Sequence, residues 1–332
     1  MLPLVGALAV GCQGVVSGPE EVRRERTEAH MGTAFRIVAY GEDTSRLDAA
    51  MSAAFARVAA LDAAMTDYDR SSELSLLSST AVDAPVRVSP DLFSVLDLAA
   101  RVSTASSGAF DVTVGPAMAL WRRARRQGEL PRPERLEAAR EAIGASLVEL
   151  DPDAGTVRLA RPGMRLDLGG IAKGYAAQAA FDVLEAAGFP RAIVDAGGDV
   201  VCGDPLAGAE GWSIGLTALD GHPSASIQVQ RAAVATSGDL FRFLELDGVR
   251  YSHVLDPRTG LGVVGRRQAT VVAPDGAVAD ALASVACVLD PQDALQVIAR
   301  WPGVEAEIAF EDGSGVQSVR SAGFPGRLSR AP

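Results

Sequence analysis

Four segments, three of them glycine-marked, are spread along this chain: SGAFDVTVGP (107–116), RLDLGGIAKGYA (165–176), ATSGDLFRF (235–243) with RYSHVLDPRTG (250–260), and ADALAS (279–284). No internal repeat or low-complexity linker interrupts residues 30–310. Together the segments supply backbone amides at a helix start, a lysine, a histidine and hard oxygen ligands. That is the equipment of a nucleotide pyrophosphate site with a divalent cation.

The stretches around them alternate between helical and strand periodicity. Residues 30–40 predict a first strand. Over 46–65, Met51, Phe55, Val58, Leu61 and Met65 step by three and four, which predicts a helix with one apolar stripe. Ser89-Pro90 opens another helix, with Ser as N-cap and Pro in the first turn. Residues 131–143 predict a more charged helix. Short strands are expected at 147–150, 156–160 and 164–168, the first two joined as a hairpin. A helix over 171–187 ends at Gly188, and a strand at 192–195 follows. Further strands fall at 212–218, 225–230, 232–236, 243–246, 249–254 and 268–273, with Asp247-Gly248 as a hairpin turn. Helices at 278–289 and 291–301 and a strand at 304–310 complete an α+β fold with antiparallel sheets, in one compact domain or two lobes.

A chain of 332 residues with 48% hydrophobic content can bury a real core. A net charge of −11 argues against nucleic acid as a partner. The one basic run, WRRARR at 121–126, reads as a solvated helix face. No apolar run reaches the roughly 18–20 residues that span a membrane. Cys202 and Cys287 read as small core residues; a disulfide between them is open in an exported protein, with no positive sign of one.

The start, MLPLVGALAVGCQGVVSG, is apolar and ends in small residues before Cys12. It resembles a lipoprotein signal, with 1–11 removed, Cys12 lipidated and 12–29 as a tether to a domain over 30–325. Such signals normally carry Lys or Arg ahead of the apolar part, and none stands here, so one explanation is a start codon upstream. The plain alternative is a frayed cytosolic end.

Each motif has a structural reading beside the chemical one. In DLGGIAKG a strand passes into a helix; the glycines admit a ligand to the backbone, and Lys173 adds charge to the helix start. The alternative is an ordinary strand–helix turn. Asp280 and Ser284 share a helix face and could form part of a Mg²⁺ shell; the alternative is an exposed helix start. His253, at a strand end, could take a hydroxyl proton or be a polar strand-end residue. Asp111 could meet a ribose or ring edge, while Phe110 reads as core. Tyr68, beside Asp69 and Arg70, could stack on a planar ring or simply pack.

Taken together over about residues 30–310, these segments resemble the ApbE family of FAD:protein FMN transferases. The resemblance implies a T-fold-related domain with mixed or antiparallel sheets and packed helices. It implies transfer of FMN from FAD to a Thr or Ser hydroxyl of a partner protein, with Mg²⁺ and release of AMP. It also implies site residues. Flavin contacts would come from Met31, Tyr68, Asp69, Arg70, Ala109, Phe110, Asp111, Asp167, Lys173 and Val254. The metal would lie between Gly170, Asp280, Ala283 and Ser284, the last in place of the commoner Thr. His253 would be the catalytic base. Gly197-Gly198-Asp199 and Thr236-Ser237-Gly238-Asp239 would be loops near the cleft. The competing readings are an FAD pyrophosphatase making FMN and AMP, a non-catalytic FAD-binding lipoprotein, and an exported solute-binding lipoprotein.

Overall fold

The computed structural model describes residues 21–240 and 243–326, so the expected signal at 1–11 and Cys12 lie outside the described residues. The described chain opens as a hairpin. β1 (Val22–His30) and β2 (Thr33–Gly41) pair antiparallel from Val22↔Gly41 to His30↔Thr33. Met31 and Gly32 turn the corner with φ of 49° and 72°, the primed geometry that follows strand twist. Of the tether expected over 12–29, residues 12–20 lie outside the described residues, and from Val22 onward the segment is a sheet strand. Its sequence, VRRERTEAH, has almost no apolar period. Arginine stems cover the inner side instead, with the Arg26 guanidinium 5.3 Å from the Phe55 ring centroid.

α1 (Thr44–Met65) follows, with the Asp43 side chain accepting the Arg46 N–H and the expected apolar stripe buried. α2 (Glu73–Thr80), capped by Ser72, was not expected; it is a short helix with two buried residues, Leu74 and Leu77. β3 (Val86–Arg87) leads to α3 (Pro90–Ala105), capped by Ser89 as expected. α4 (Gly115–Gln127) and α5 (Pro133–Arg140) come next, then β4 (Val148–Asp151) and β5 (Thr156–Leu159). Residues 164–168, expected as a strand, make only one isolated parallel bridge, Val114↔Arg165.

α6 (Ala172–Ala186) precedes β6 (Ala192–Ala196) and β7 (Val200–Cys202). β8 (Trp212–Thr217) and β9 (Pro223–Val229) form a separate hairpin, followed by β10 (Ala232–Gly238). β11 (Phe243–Leu246), β12 (Val249–Asp256) and β13 (Leu261–Val264) form a small sheet. β14 (Arg267–Ala273), α7 (Gly276–Val288), α8 (Pro291–Ile298), β15 (Glu305–Asp312) and β16 (Gly315–Arg320) close the domain.

The main sheet is antiparallel throughout, in the order β1-β2-β6-β7-β10-β14-β15-β16. Strand alternation sorts its side chains onto two faces. Phe35, Ile37, Ala233, Ala235, Ala269 and Val271 belong to the core under the helices; Val38, Ile193, Val234 and Val272 pack with Trp212 and Ile227 of the β8–β9 hairpin. The small residues on the helix side let α6 and α7 lie close to the sheet. A third, smaller core gathers α4, α5 and β11–β13 around Trp121, Leu244 and Leu255. Cys202 and Cys287 are free, buried and in different clusters, and burial pushes both thiols up to about 11.

Candidate active site

α6 and α7 meet at their first turns. A Cβ on Gly174 would lie 2.0 Å from the Gly276 carbonyl oxygen, and one on Gly276 would lie 2.3 Å from that of Gly174. Only glycine at both positions permits this contact. It places two helix N-termini, each with free N–H groups and partial positive charge, side by side. The N-cap of α6, Ile171, makes no side-chain cap. Asp280 of α7 serves instead: its Oδ2 accepts the Gly174 N–H at 3.1 Å.

Lys173 stands between two buried carboxylates. Its Nζ is 2.7 Å from Asp199 Oδ2 and 3.2 Å from Asp280 Oδ2. Burial works against the ammonium, but Asp280 and Asp199 outweigh it and hold Lys173 above its ordinary value. Burial, then the charge of Asp280, pushes Asp199 up to about 7 against the pull of Lys173. Asp199 follows Gly197 and Gly198, whose φ values of 72° and 108° make the turn from β6 to β7.

Gly170 is a second close approach. A Cβ there would lie 3.0 Å from Ser284 Oγ and 3.2 Å from the Phe110 ring. Asp280 and Ser284 lie one turn apart on α7, and Asp280 and Ala283 are buried. Asp280 is therefore not the exposed helix start of the plain alternative. Among the described residues no group of three or more His, Cys, Asp or Glu side chains could hold a metal. A cation beside Asp280 would lean on hydroxyl and carbonyl oxygens. That all-oxygen set, around a cradle that a Cβ at Gly170 would fill, fits Mg²⁺.

The GAFD segment turns inward. Ala109, Phe110 and Asp111 are all buried. Asp111 Oδ1 accepts from the Thr113 N–H (2.8 Å) and hydroxyl (2.6 Å), and Oδ2 accepts from the Ala145 N–H (2.8 Å). Its carboxylate ties the loop to the turn before β4. Burial pushes its carboxyl up despite those bonds.

His253 and Val254 lie on an irregularity of β12. Pairing with β13 shifts register between Tyr251↔Val264 and Leu255↔Gly262, so three residues on β12 face one on β13. Such bulges re-aim side chains. Trp121 of α4, fully buried, braces this one by donating its Nε1–H to the Ser252 carbonyl at 3.2 Å, and the Ser252 hydroxyl accepts the Val254 N–H at 3.0 Å. Gly262 leaves room for the Trp121 ring, 2.5 Å from where a Cβ would sit.

At the other end, Tyr68 is 80% exposed after α1, with Asp69 and Arg70 also exposed. Asp69 accepts from the Ser71 N–H and hydroxyl; the hydroxyl bond, then the amide bond, lower its carboxyl. Asp167 is buried, and its Oδ1 accepts the Gly169 N–H at 2.9 Å. Burial pushes Asp167 up, and the Arg122 charge opposes it. Arg122 donates to Asp67 and, at 2.7 Å, to Asp167 Oδ2, with its guanidinium 4.7 Å from the Tyr68 ring centroid. The Met31 N–H donates to Asp62 at 2.7 Å, which holds the β1–β2 turn against α1.

The ApbE family matches residues 31–308. The chain belongs to the ApbE family. It is 31% identical over 318 residues to the FAD:protein FMN transferase of Treponema pallidum, covering 90% of this chain and 88% of that protein. It is 28% identical over 302 residues to the FAD:protein FMN transferase of Klebsiella pneumoniae, covering 89% and 86%. Among solved structures, the flavin transferase ApbE from Vibrio cholerae superposes with a TM-score of 0.82 at 27% identity, covering 92% of this chain and 99% of that one. The ApbE protein from Thermotoga maritima gives 0.80 at 30%, covering 91% and 98%. The expected α+β, ApbE-like fold is the observed one.

In this ApbE domain the sequence-expected residues gather in part. Gly170, Lys173, Asp280, Ser284 and Phe110 converge around the α6–α7 junction, and Tyr68 and Asp167 are joined through Arg122. Thr236, Ser237 and Gly238 belong to β10 rather than to a loop, and Asp239 is buried in an ion pair with Arg250 at 2.6 Å. Two residues gain roles that the sequence reading did not give them. Asp199 was signalled only by the two glycines before it. Arg122 was hidden in a run of arginines, and it corrects the reading of WRRARR as a wholly solvated face.

Proposed function

We propose that this ApbE chain transfers the FMN part of FAD to a Thr or Ser hydroxyl of a partner protein, with Mg²⁺ and with AMP as the leaving group. The observation that carries this reading is the α6–α7 junction, where two helix starts, Lys173, Asp280 and Ser284 form a place suited to a diphosphate. The name shared by the relatives, FAD:protein FMN transferase, supports it.

Asp280, the Ser284 hydroxyl and the carbonyls of Gly170 and Ala283 are the groups that would hold Mg²⁺. When bound, the cation neutralises the diphosphate and steadies the departing AMP. Lys173 brings a fixed positive charge to the same oxygens, and Asp199 keeps its ammonium aimed. His253, re-aimed by the bulge, takes the proton of the acceptor hydroxyl, a weak nucleophile without a base. Met31, Tyr68, Asp69, Arg70, Ala109, Phe110, Asp111, Asp167 and Val254 would form the flavin end. FAD is consumed as a substrate, so no resident redox flavin is required.

Attachment to a membrane through lipidated Cys12, in the cell envelope, is part of the same proposal. Among the described residues no helix is long and apolar enough to cross a membrane. Acyl labelling and detergent-phase partitioning of the full-length protein test it; an unmodified cytosolic product would sink it.

The activity is tested by incubating the protein with FAD, Mg²⁺ and a candidate acceptor, then reading AMP and the acceptor mass. An FMN adduct with equimolar AMP supports transfer. FMN and AMP without an adduct would make the protein an FAD pyrophosphatase. FAD binding without AMP would make it a non-catalytic binder.

A further inference from the structure

Arg122 of α4 joins two parts of the site that are remote in sequence from it and from each other. One side of its fork meets Asp67 in the loop after α1; the other meets Asp167 at 2.7 Å in the segment entering α6; the Tyr68 ring lies over its plane, 4.7 Å away. The guanidinium is mostly shielded, with 27% of its side chain exposed, against 18% for Asp67 and 6% for Asp167. A planar fork with five donors suits two carboxylates at once, and its face attracts an aromatic ring. No other residue type makes all three contacts.

We propose that Arg122 is the positioning residue of the flavin end. It fixes the exposed Tyr68 ring at one side and the Asp167 carboxylate at the other, so that both are set before FAD arrives. Asp167 in turn accepts the Gly169 N–H at 2.9 Å, which places the turn carrying Gly170 and, beyond it, the start of α6. Without the guanidinium, Asp67 and Asp167 would face each other as two negative groups where an anionic substrate must enter. Arg122 therefore acts mainly on substrate binding, through residues that touch the flavin, and only weakly on the chemical step. The inference rests on the transferase reading and deepens it.

Three proteins decide it: wild type, Arg122→Ala and Arg122→Lys, each with Mg²⁺. Equilibrium dialysis reads FAD affinity, AMP release reads KM and kcat, and thermal unfolding reads the fold. Arg122→Ala should raise the Kd and KM for FAD about ten- to a hundred-fold, with kcat changed less than about threefold. Arg122→Lys keeps a point charge but loses the fork and the ring contact, so it should recover only part of the loss. In the double variant Arg122→Ala/Tyr68→Ala, removal of Tyr68 should cost little further affinity. FAD affinity of Arg122→Ala within twofold of wild type would overturn the inference, as would a loss confined to kcat, full recovery by Arg122→Lys, or additive Tyr68 and Arg122 effects. Arg122→Lys, which keeps the charge, supplies the same readouts if the alanine variant does not fold. Wild type that binds no FAD would instead overturn the transferase reading itself.

Discussion

The two ends of the site are made of different material. At the α6–α7 junction the parts are backbone and buried charge: Gly174 against Gly276, and Lys173 between Asp199 and Asp280. At the proposed flavin end they are side chains, with Tyr68 and Arg70 exposed in the loop after α1 and Arg122 of α4 against the Tyr68 ring. Under the proposed function, the difference follows from what each end would meet. Diphosphate charge calls for dipoles and ions fixed before binding, because their reorganisation would cost what their attraction gives. A planar ring needs only a surface to lie on, and loops can supply one.

The contrast breaks most sharply at Asp280. Asp280→Ala removes the acceptor for the Gly174 N–H, a partner of Lys173 and the one carboxylate of the proposed metal shell. FMN transfer at ordinary Mg²⁺ should fall below detection, while Ser284→Thr keeps a hydroxyl and should turn over nearly as the wild type does. Normal turnover by Asp280→Ala, with unchanged Mg²⁺ dependence, would remove the metal assignment. His253→Ala is next: transfer should slow about a hundred- to ten-thousand-fold, with FAD affinity by dialysis close to wild type. Lost affinity with an unchanged rate at saturation would make His253 a binding residue.

Stability separates the two ends further. Gly174→Ala forces a methyl into a backbone contact and should cost about 3 kcal/mol in urea unfolding. A cost under about 0.5 kcal/mol would mean that the helices part easily and that the junction is not the rigid end. Tyr68→Ala should do the reverse, weakening FAD binding about three- to tenfold with no change in the unfolding midpoint. A drop in that midpoint equal to that of Gly174→Ala would erase the contrast.

What the sequence disclosed divides along the same line. α1 was legible from its one apolar stripe, and α3 from its stripe and the Ser89 cap. Helical spacing puts Asp280 and Ser284 on one face, but it was the family resemblance that singled them out as a site. β1 was not, since an edge strand of arginines and glutamates has no apolar alternation to read. β16 was missed for a related reason: nearly every residue in it is exposed. Arg122 was illegible as a site residue, since nothing in WRRARR marks which arginine turns inward; the resemblance put Asp199 near the cleft, but its pairing with Lys173 was hidden because that partner lies elsewhere along the chain. Asp111 shows the opposite limit. Its residue type points to a ligand contact, and nothing in the sequence foretells the three internal donors that hold its carboxylate.

The strand character of residues 22–30 sets a leash. With the anchor at Cys12 as proposed, only ten residue steps separate the lipid from the sheet edge at Val22. Fully stretched, they span at most about 36 Å. The catalytic domain would then patrol a thin layer next to the bilayer, and an acceptor would have to bring its hydroxyl down into that layer. Lengthening the leash with a flexible insert before Val22 should widen the range of acceptors modified in membranes while leaving the rate on a soluble acceptor peptide unchanged.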